Sequence, residues 1–208
     1  MSGHEKNVMK AGADIREAAG LLILIHGRGA SAEDILSLAL QLDAEGLAWW
    51  APQATNSTWY PYPFLQPPAR NEPWLSSALS LLGELVKEAE GLGLPREKIW
   101  LAGFSQGACL SLEFAARNAS RWGGVGAFSG GLIGDRIQAE LHAGGFAGTP
   151  VFLGSSDPDP YIPVERVRES ARVMESMHAS VLERIYPRMG HTISAEELEE
   201  ANRHLFPG

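Results

Sequence analysis

The chain has 208 residues, is 45% hydrophobic, 20% charged and 8% aromatic, and carries a formal net charge of −8 from 17 Lys+Arg against 25 Asp+Glu. This composition excludes a disordered, collagenous or coiled-coil chain and fits one packed domain over residues 1–208, without room for a second large one. An acidic chain without basic runs argues against nucleic acid and anionic lipid as partners.

Cys109 is the single cysteine, which rules out an intramolecular disulfide and a zinc site built on several thiolates. Residues 1–7 are polar and lack the apolar core of a secretory signal, and the longest clean apolar run, residues 21–25, is too short to span a bilayer. The expectation is a soluble, cytoplasmic protein with no stable membrane insertion.

Short apolar runs alternate with helical patterns. A weak strand signal at residues 8–11 precedes the run Leu-Leu-Ile-Leu-Ile at 21–25, which ends at His26-Gly27 and reads as a strand buried on both faces. Ile35, Leu38, Ala39 and Leu42 mark one face of a helix over 32–42. A strand over 46–51 follows, and then a stretch at 58–68 too rich in proline for regular structure. Leu75, Leu79, Leu82 and Val86 recur at helical spacing. The strand at 99–102 runs into Gly103, and the helix at 108–116 is apolar on most sides. Strands at 124–128, 151–153 and 181–186 follow. Between the last two lies a helix over 164–177 with Val167, Ala171, Met174 and His178 on one stripe. Ser194, with Glu197 three residues on, predicts a capped terminal helix to Leu205. Glu196, Glu197, Glu199 and Glu200 predict a solvated face on it. Such alternation predicts a mostly parallel sheet covered by helices on both faces, with functional residues at the carboxyl ends of the strands.

Gly103-Phe104-Ser105-Gln106-Gly107 fits G-x-S-x-G. The pattern carries little information alone, but here it sits between a strand and a helix, where a nucleophile elbow requires it. A serine hydroxyl needs a base, and the base needs an orienting carboxylate, in the chain order Ser, Asp or Glu, His. Of the histidines after Ser105, His178 and His204 lie on helices and His142 in a Gly-rich segment. His191 follows a strand and is the candidate base. The preceding loop offers two acids, Asp159 before Pro-Tyr-Ile-Pro and Asp157 two residues earlier. Asp159 is favoured, with the other expected to cap the turn. The oxyanion needs N–H donors. The Gln106 amide and the Arg28 amide in His26-Gly27-Arg28-Gly29 are the candidates. Trp59, Tyr60, Phe64 and Leu65, on the aromatic excursion, are the candidate substrate wall. Ser129, in Phe-Ser-Gly-Gly, is a weaker rival nucleophile.

Together these pieces resemble the phospholipase/carboxylesterase family of α/β-hydrolases, which includes small bacterial carboxylesterases and acyl-protein thioesterases. The resemblance rests on residues 24–29 (Leu-Ile-His-Gly-Arg-Gly), 51–54 (Ala-Pro-Gln-Ala), 103–107, 159–163 (Asp-Pro-Tyr-Ile-Pro) and 190–192 (Gly-His-Thr), and so covers essentially the whole domain. It implies an α/β-hydrolase fold with little or no cap, a Ser105–His191–Asp159 triad, and an oxyanion hole from the Arg28 and Gln106 amides. Two departures stand out. The family's usual His-Gly-x-x-Asp is replaced by Leu-Gly-Ser-Ser-Asp-Pro-Asp, which leaves Asp157 and Asp159 both open. Arg28 stands where acyl-protein thioesterases commonly carry an apolar residue.

The expected activity is cofactor-free and metal-free hydrolysis of small to medium acyl or aryl carboxylic esters through an acyl-enzyme. Thioesterase or lysophospholipase activity on the same triad is the alternative. A non-catalytic binding protein on a hydrolase fold is the alternative of another class. The ligand is a small-molecule ester or thioester. The assembly stays open, a homodimer included.

Overall fold

A computed structural model describes residues 3–206. Seven strands form one sheet in the order β1-β3-β2-β4-β5-β6-β7, that is Val8–Gly12, Leu47–Pro52, Gly20–Ile25, Ile99–Phe104, Gly124–Phe128, Pro150–Asp157 and Ser180–Pro187. Only β1 runs antiparallel to its neighbour. The weak signal near residue 8 is therefore a real edge strand, without a buried apolar run because four of its five residues are exposed.

Strand β2 is buried at all six positions, as its unbroken apolar run requires. Its two faces feed separate cores. Leu21, Ile23 and Ile25 pack with helices α2 (Trp74–Gly91), α3 (Gln106–Arg117) and α4 (Val164–Ser176). Leu22 and Leu24 pack with α1 (Ala32–Ala39) and α5 (Ala195–Leu205). The chain leaves β2 for β3 on one side and later returns to β4 on the other. The sheet thus reverses its order at β2 and β4, where the carboxyl ends of parallel strands form a crevice. Register places Ile25 beside Gly103, so the turn after β2 and the turn after β4 emerge side by side. Among the described residues no cap domain stands over them. No helix among the described residues is long and apolar enough to cross a membrane.

The terminal helix departs from expectation. Ser194 accepts from the Glu197 N–H as an N-cap does. The Glu197 carboxyl, however, does not return to the cap or face solvent. It is fully buried against β6, and neither oxygen has a hydrogen-bond partner. A β-carbon at Gly154 would lie 2.0 Å from Glu197 Oε1, so the glycine makes the space. Burial pushes the Glu197 pKa up to about 8, because ionisation in an apolar site is costly. The four-glutamate cluster therefore divides: Glu196 and Glu199 are exposed, Glu200 is half-buried and bonded to Arg184 and Tyr186, and Glu197 is a buried acid with a raised pKa.

The folded state holds the Glu197 proton more tightly than the unfolded chain, so the fold keeps this acid's full stability contribution below about pH 4.5. The contribution is lost as pH rises through the interval from 4.5 to about 8. Glu197→Gln, which stays neutral, should flatten that dependence. Its melting temperature at pH 8.5 should exceed the wild type's by several degrees, while the two converge at pH 4.5. Calorimetry at both pH values checks this.

Candidate active site

Strand β4 ends at Phe104 and helix α3 begins at Gln106, leaving Ser105 alone in the turn at φ 56°, ψ −117°. A non-glycine residue at such φ costs about 1–3 kcal/mol and persists only where its surroundings enforce it. Enforcement comes from three sides. The Ser105 N–H donates to Phe128 O on β5 at 2.9 Å. A β-carbon at Gly107 would lie 1.9 Å from Ile25 O, and one at Gly103 would lie 2.5 Å from the Gly107 carbonyl. The two motif glycines are thus steric requirements, since helix, β4 and the end of β2 touch through bare backbone.

His191 sits in the loop between β7 and α5. That loop is tied to the end of β6, with Arg188 N–H donating to Asp157 O at 2.9 Å and Gly190 N–H to Ser156 Oγ at 2.9 Å. The ring lies between Phe104 and Tyr161, each at 4.9 Å between centroids. Its Nε2 is 2.9 Å from Ser105 Oγ and its Nδ1 is 2.8 Å from Asp159 Oδ2. Asp159 is the acid in contact, with its side chain fully buried. Its Oδ1 accepts from Tyr161 N at 2.8 Å and Ile162 N at 3.0 Å. Asp159 therefore forms the Asx-type turn itself, and exposed Asp157 does not cap it. With both Oδ1 bonds fixing the carboxylate, Nδ1–H of a neutral His191 donates to Oδ2, and Nε2 is left to accept from the serine hydroxyl.

The turn after β2 lies against this assembly. A β-carbon at Gly27 would sit 3.3 Å from Phe104 O and 3.5 Å from Ser105 Cβ. His26 is fully buried, and burial lowers its pKa, leaving a neutral ring. Its Nδ1–H donates to Gly27 O at 2.7 Å and its Nε2 accepts from Ala54 N at 3.1 Å. His26 thus sets the turn's shape, a role its position next to Gly27 did not reveal. The main-chain N–H groups of Arg28 and Gln106 donate to no acceptor among the described residues.

A cavity of about 680 Å³ opens on Ser105 and His191. Of the four wall residues expected on the excursion, Tyr60 and Phe64 line it. Trp59 and Leu65 do not. Trp59 is turned inward, fully buried, with its indole N–H donating to His26 O at 2.9 Å. Leu65 packs at the margin of the core. Phe104, Pro61, Pro63, Tyr161 and Ile162 complete the apolar wall, and Tyr161 and Ile162 are there because the Asp159 turn carries them. Cys109 lies beneath, its thiol pushed up to about 12 by burial, so it is no nucleophile at neutral pH. Ser129 is fully buried, with φ 55° and no partner for its hydroxyl. His142 is 3.4 Å from buried Glu113, while His178 is exposed at a turn after α4.

Comparison with known proteins bears on the family and the fold. The phospholipase/carboxylesterase family model matches residues 7–206. A crystal structure of a phospholipase/carboxylesterase from Dyadobacter fermentans DSM 18053 is 46% identical. It superposes with a TM-score of 0.96 over 99% of this chain and 98% of that one. Acyl-protein thioesterase 1 of Kluyveromyces lactis is 27% identical over 96% of both chains. Acyl-protein thioesterase 1 of Gibberella zeae is 32% identical over 123 residues, 58% of this chain and about half (52%) of that protein. The chain belongs to the phospholipase/carboxylesterase family, and with it to the hydrolases of esterase and thioesterase type.

Proposed function

We propose that the protein is a serine hydrolase that cleaves carboxylic esters of small to medium acyl or aryl groups through an acyl-enzyme on Ser105. The observation that carries this reading is the unbroken chain Asp159–His191–Ser105, at 2.8 and 2.9 Å, opening on the apolar cavity. In the first step Ser105 Oγ bonds to the substrate carbonyl carbon and its proton passes to His191 Nε2. Asp159 holds the ring in the productive tautomer and stabilises the cation formed. The charge on the carbonyl oxygen is taken by the Arg28 and Gln106 N–H groups, which have no competing acceptor to give up. The bond to the alcohol then breaks, and His191 returns its proton to that oxygen. Water repeats the sequence on the acyl-enzyme and frees the acid.

Among the described residues Arg28 is the one Lys, Arg, Asp or Glu that lines the cavity, and its wall is largely aromatic and proline. That supports acyl or aryl groups as the part bound. Without a cap, binding energy comes from this one wall, which favours short or flexible acyl groups over long rigid ones.

Thioester hydrolysis is the second reading, and the full-length likeness to an acyl-protein thioesterase favours it. The triad chemistry serves either leaving group. Matched oxyester and thioester substrates of the same acyl group separate the readings by kcat/KM, and the ester reading expects the oxyester to be at least as good.

Ser105→Ala should abolish turnover of p-nitrophenyl acetate. Activity near wild type would remove the serine from the mechanism. Asp159→Asn should lower kcat by about 10⁴, the cost of losing the orienting carboxylate. Asp157→Asn should stay within about twofold of wild type, and the reverse pattern would reassign the acid.

A further inference from the structure

Arg28 and Gln106 are separated by 78 positions, yet their side chains meet at one atom. Arg28 Nη2 donates to the carbonyl oxygen of Tyr60 at 2.8 Å, and Gln106 Nε2 donates to the same oxygen at 2.9 Å. Each side chain also grips the neighbouring backbone. Gln106 Oε1 accepts from Trp59 N at 2.8 Å. Arg28 donates to Thr58 Oγ1 at 3.0 Å, Pro61 O at 3.0 Å and Tyr62 O at 3.1 Å. Four guanidinium hydrogen bonds are spent on one loop, and Arg28 makes no salt bridge to a carboxylate among the described residues.

This use of arginine is specific. A planar fork with donors on both terminal nitrogens can cross-link several carbonyls that diverge around a turn, which a point ammonium cannot do as completely. Gln106 supplies the complementary piece, one acceptor and one donor facing consecutive residues. It is buried, so leaving either end unpaired would carry a desolvation cost. The far side of the loop is pinned independently. His4 Nε2–H donates to Trp59 O at 2.9 Å, and its Nδ1 accepts from Thr55 N at 3.1 Å.

We infer that the Tyr60 carbonyl is the spacer of the oxyanion hole. Arg28 and Gln106 are positioning residues through their side chains, and the shared tie fixes the distance between the two main-chain N–H groups they carry. The inference rests on the reading of Ser105 as nucleophile and of those N–H groups as oxyanion donors. It adds that the aromatic wall and the hole form one mechanical unit, because the carbonyl that links them belongs to Tyr60, which lines the cavity. An acyl group that displaces the wall therefore also disturbs the hole. Selection among acyl groups is written partly in kcat instead of wholly in KM.

The test is a double-mutant cycle on Arg28→Met and Gln106→Met with p-nitrophenyl acetate. A trifluoromethyl ketone is used alongside it, because its adduct with the serine places an oxyanion in the hole. Removing one oxyanion donor outright costs about 10²–10³ in kcat, so displacing it should cost roughly tenfold. Each single variant should lose about tenfold in kcat, with KM within about twofold, and Ki for the ketone should rise in parallel. The double variant should lose much less than the product of the two, since both act through one atom. Arg28→Lys, which keeps one donor, should recover part of kcat. A purely structural role would lower thermal stability without this kcat-against-KM split or the rise in Ki.

Losses that multiply in the double variant, losses confined to KM, or single variants with wild-type kcat would each overturn the inference. Arg28 is exposed, so Arg28→Met against Arg28→Lys decides the matter by kcat and Ki if Gln106→Met does not fold. An active Ser105→Ala enzyme overturns the underlying reading instead. With Ser105→Ala inactive, the Arg28 and Gln106 variants judge the spacer alone.

Discussion

Everything at the site depends on a contact with no side chain in it. At Gly107 the first turn of helix α3 passes so close to the end of β2 that a methyl group would stand 1.9 Å from Ile25 O. That approach lets a helix start one residue after a strand ends. It leaves Ser105 half-buried at the cavity floor at φ 56° and brings the turn at 26–28 beside it. Any larger residue at Gly107 would push α3 off the sheet and separate Ser105 from the main-chain N–H groups of Arg28 and Gln106. The local strain at Ser105 is offset by the packing of a helix buried at eleven of its twelve residues.

Buried polar groups divide into two kinds around this centre. His26, Gln106 and Asp159, joined from the surface by the exposed Arg28 guanidinium, each hold loops that have no regular secondary structure of their own. They do so by bonding main-chain N–H and C=O groups that helix and sheet leave unpaired. Glu197 is of the other kind. It makes no side-chain hydrogen bond and sits against β6, and burial keeps its proton on. The first kind costs little in desolvation and specifies geometry. The second is tolerated because the carboxyl is neutral.

Much of this was legible in the sequence because the signals were local. A five-residue apolar run, a helical repeat of leucines, and a serine between two glycines at a strand–helix junction are all short-range features, and the fold and the candidate elbow at Ser105 follow from them. Chain order and strand ends were enough to single out His191. Asp159 over Asp157 required the Asx turn, which depends on how Pro160-Tyr161-Ile162 folds back. The misses share a cause. Trp59 reads as an exposed aromatic on a proline-rich loop, and only its bond to His26 O, 33 positions away, turns it inward. Glu197 reads as a capping residue by spacing, but the vacant face of Gly154 makes burial available. The Arg28 and His4 attachments to the loop span 32 and 55 positions and leave no periodic trace.

The proposed reaction passes through a covalent ester on Ser105. Intact-protein mass spectrometry after rapid acid quench of turnover with a p-nitrophenyl ester tests it most directly, followed by peptide mapping. The expected result is a mass increase equal to one acyl group, carried by the peptide containing residues 103–107 and absent from Ser105→Ala. An acyl group mapped to Ser129 or Cys109, or its persistence in Ser105→Ala, would contradict it.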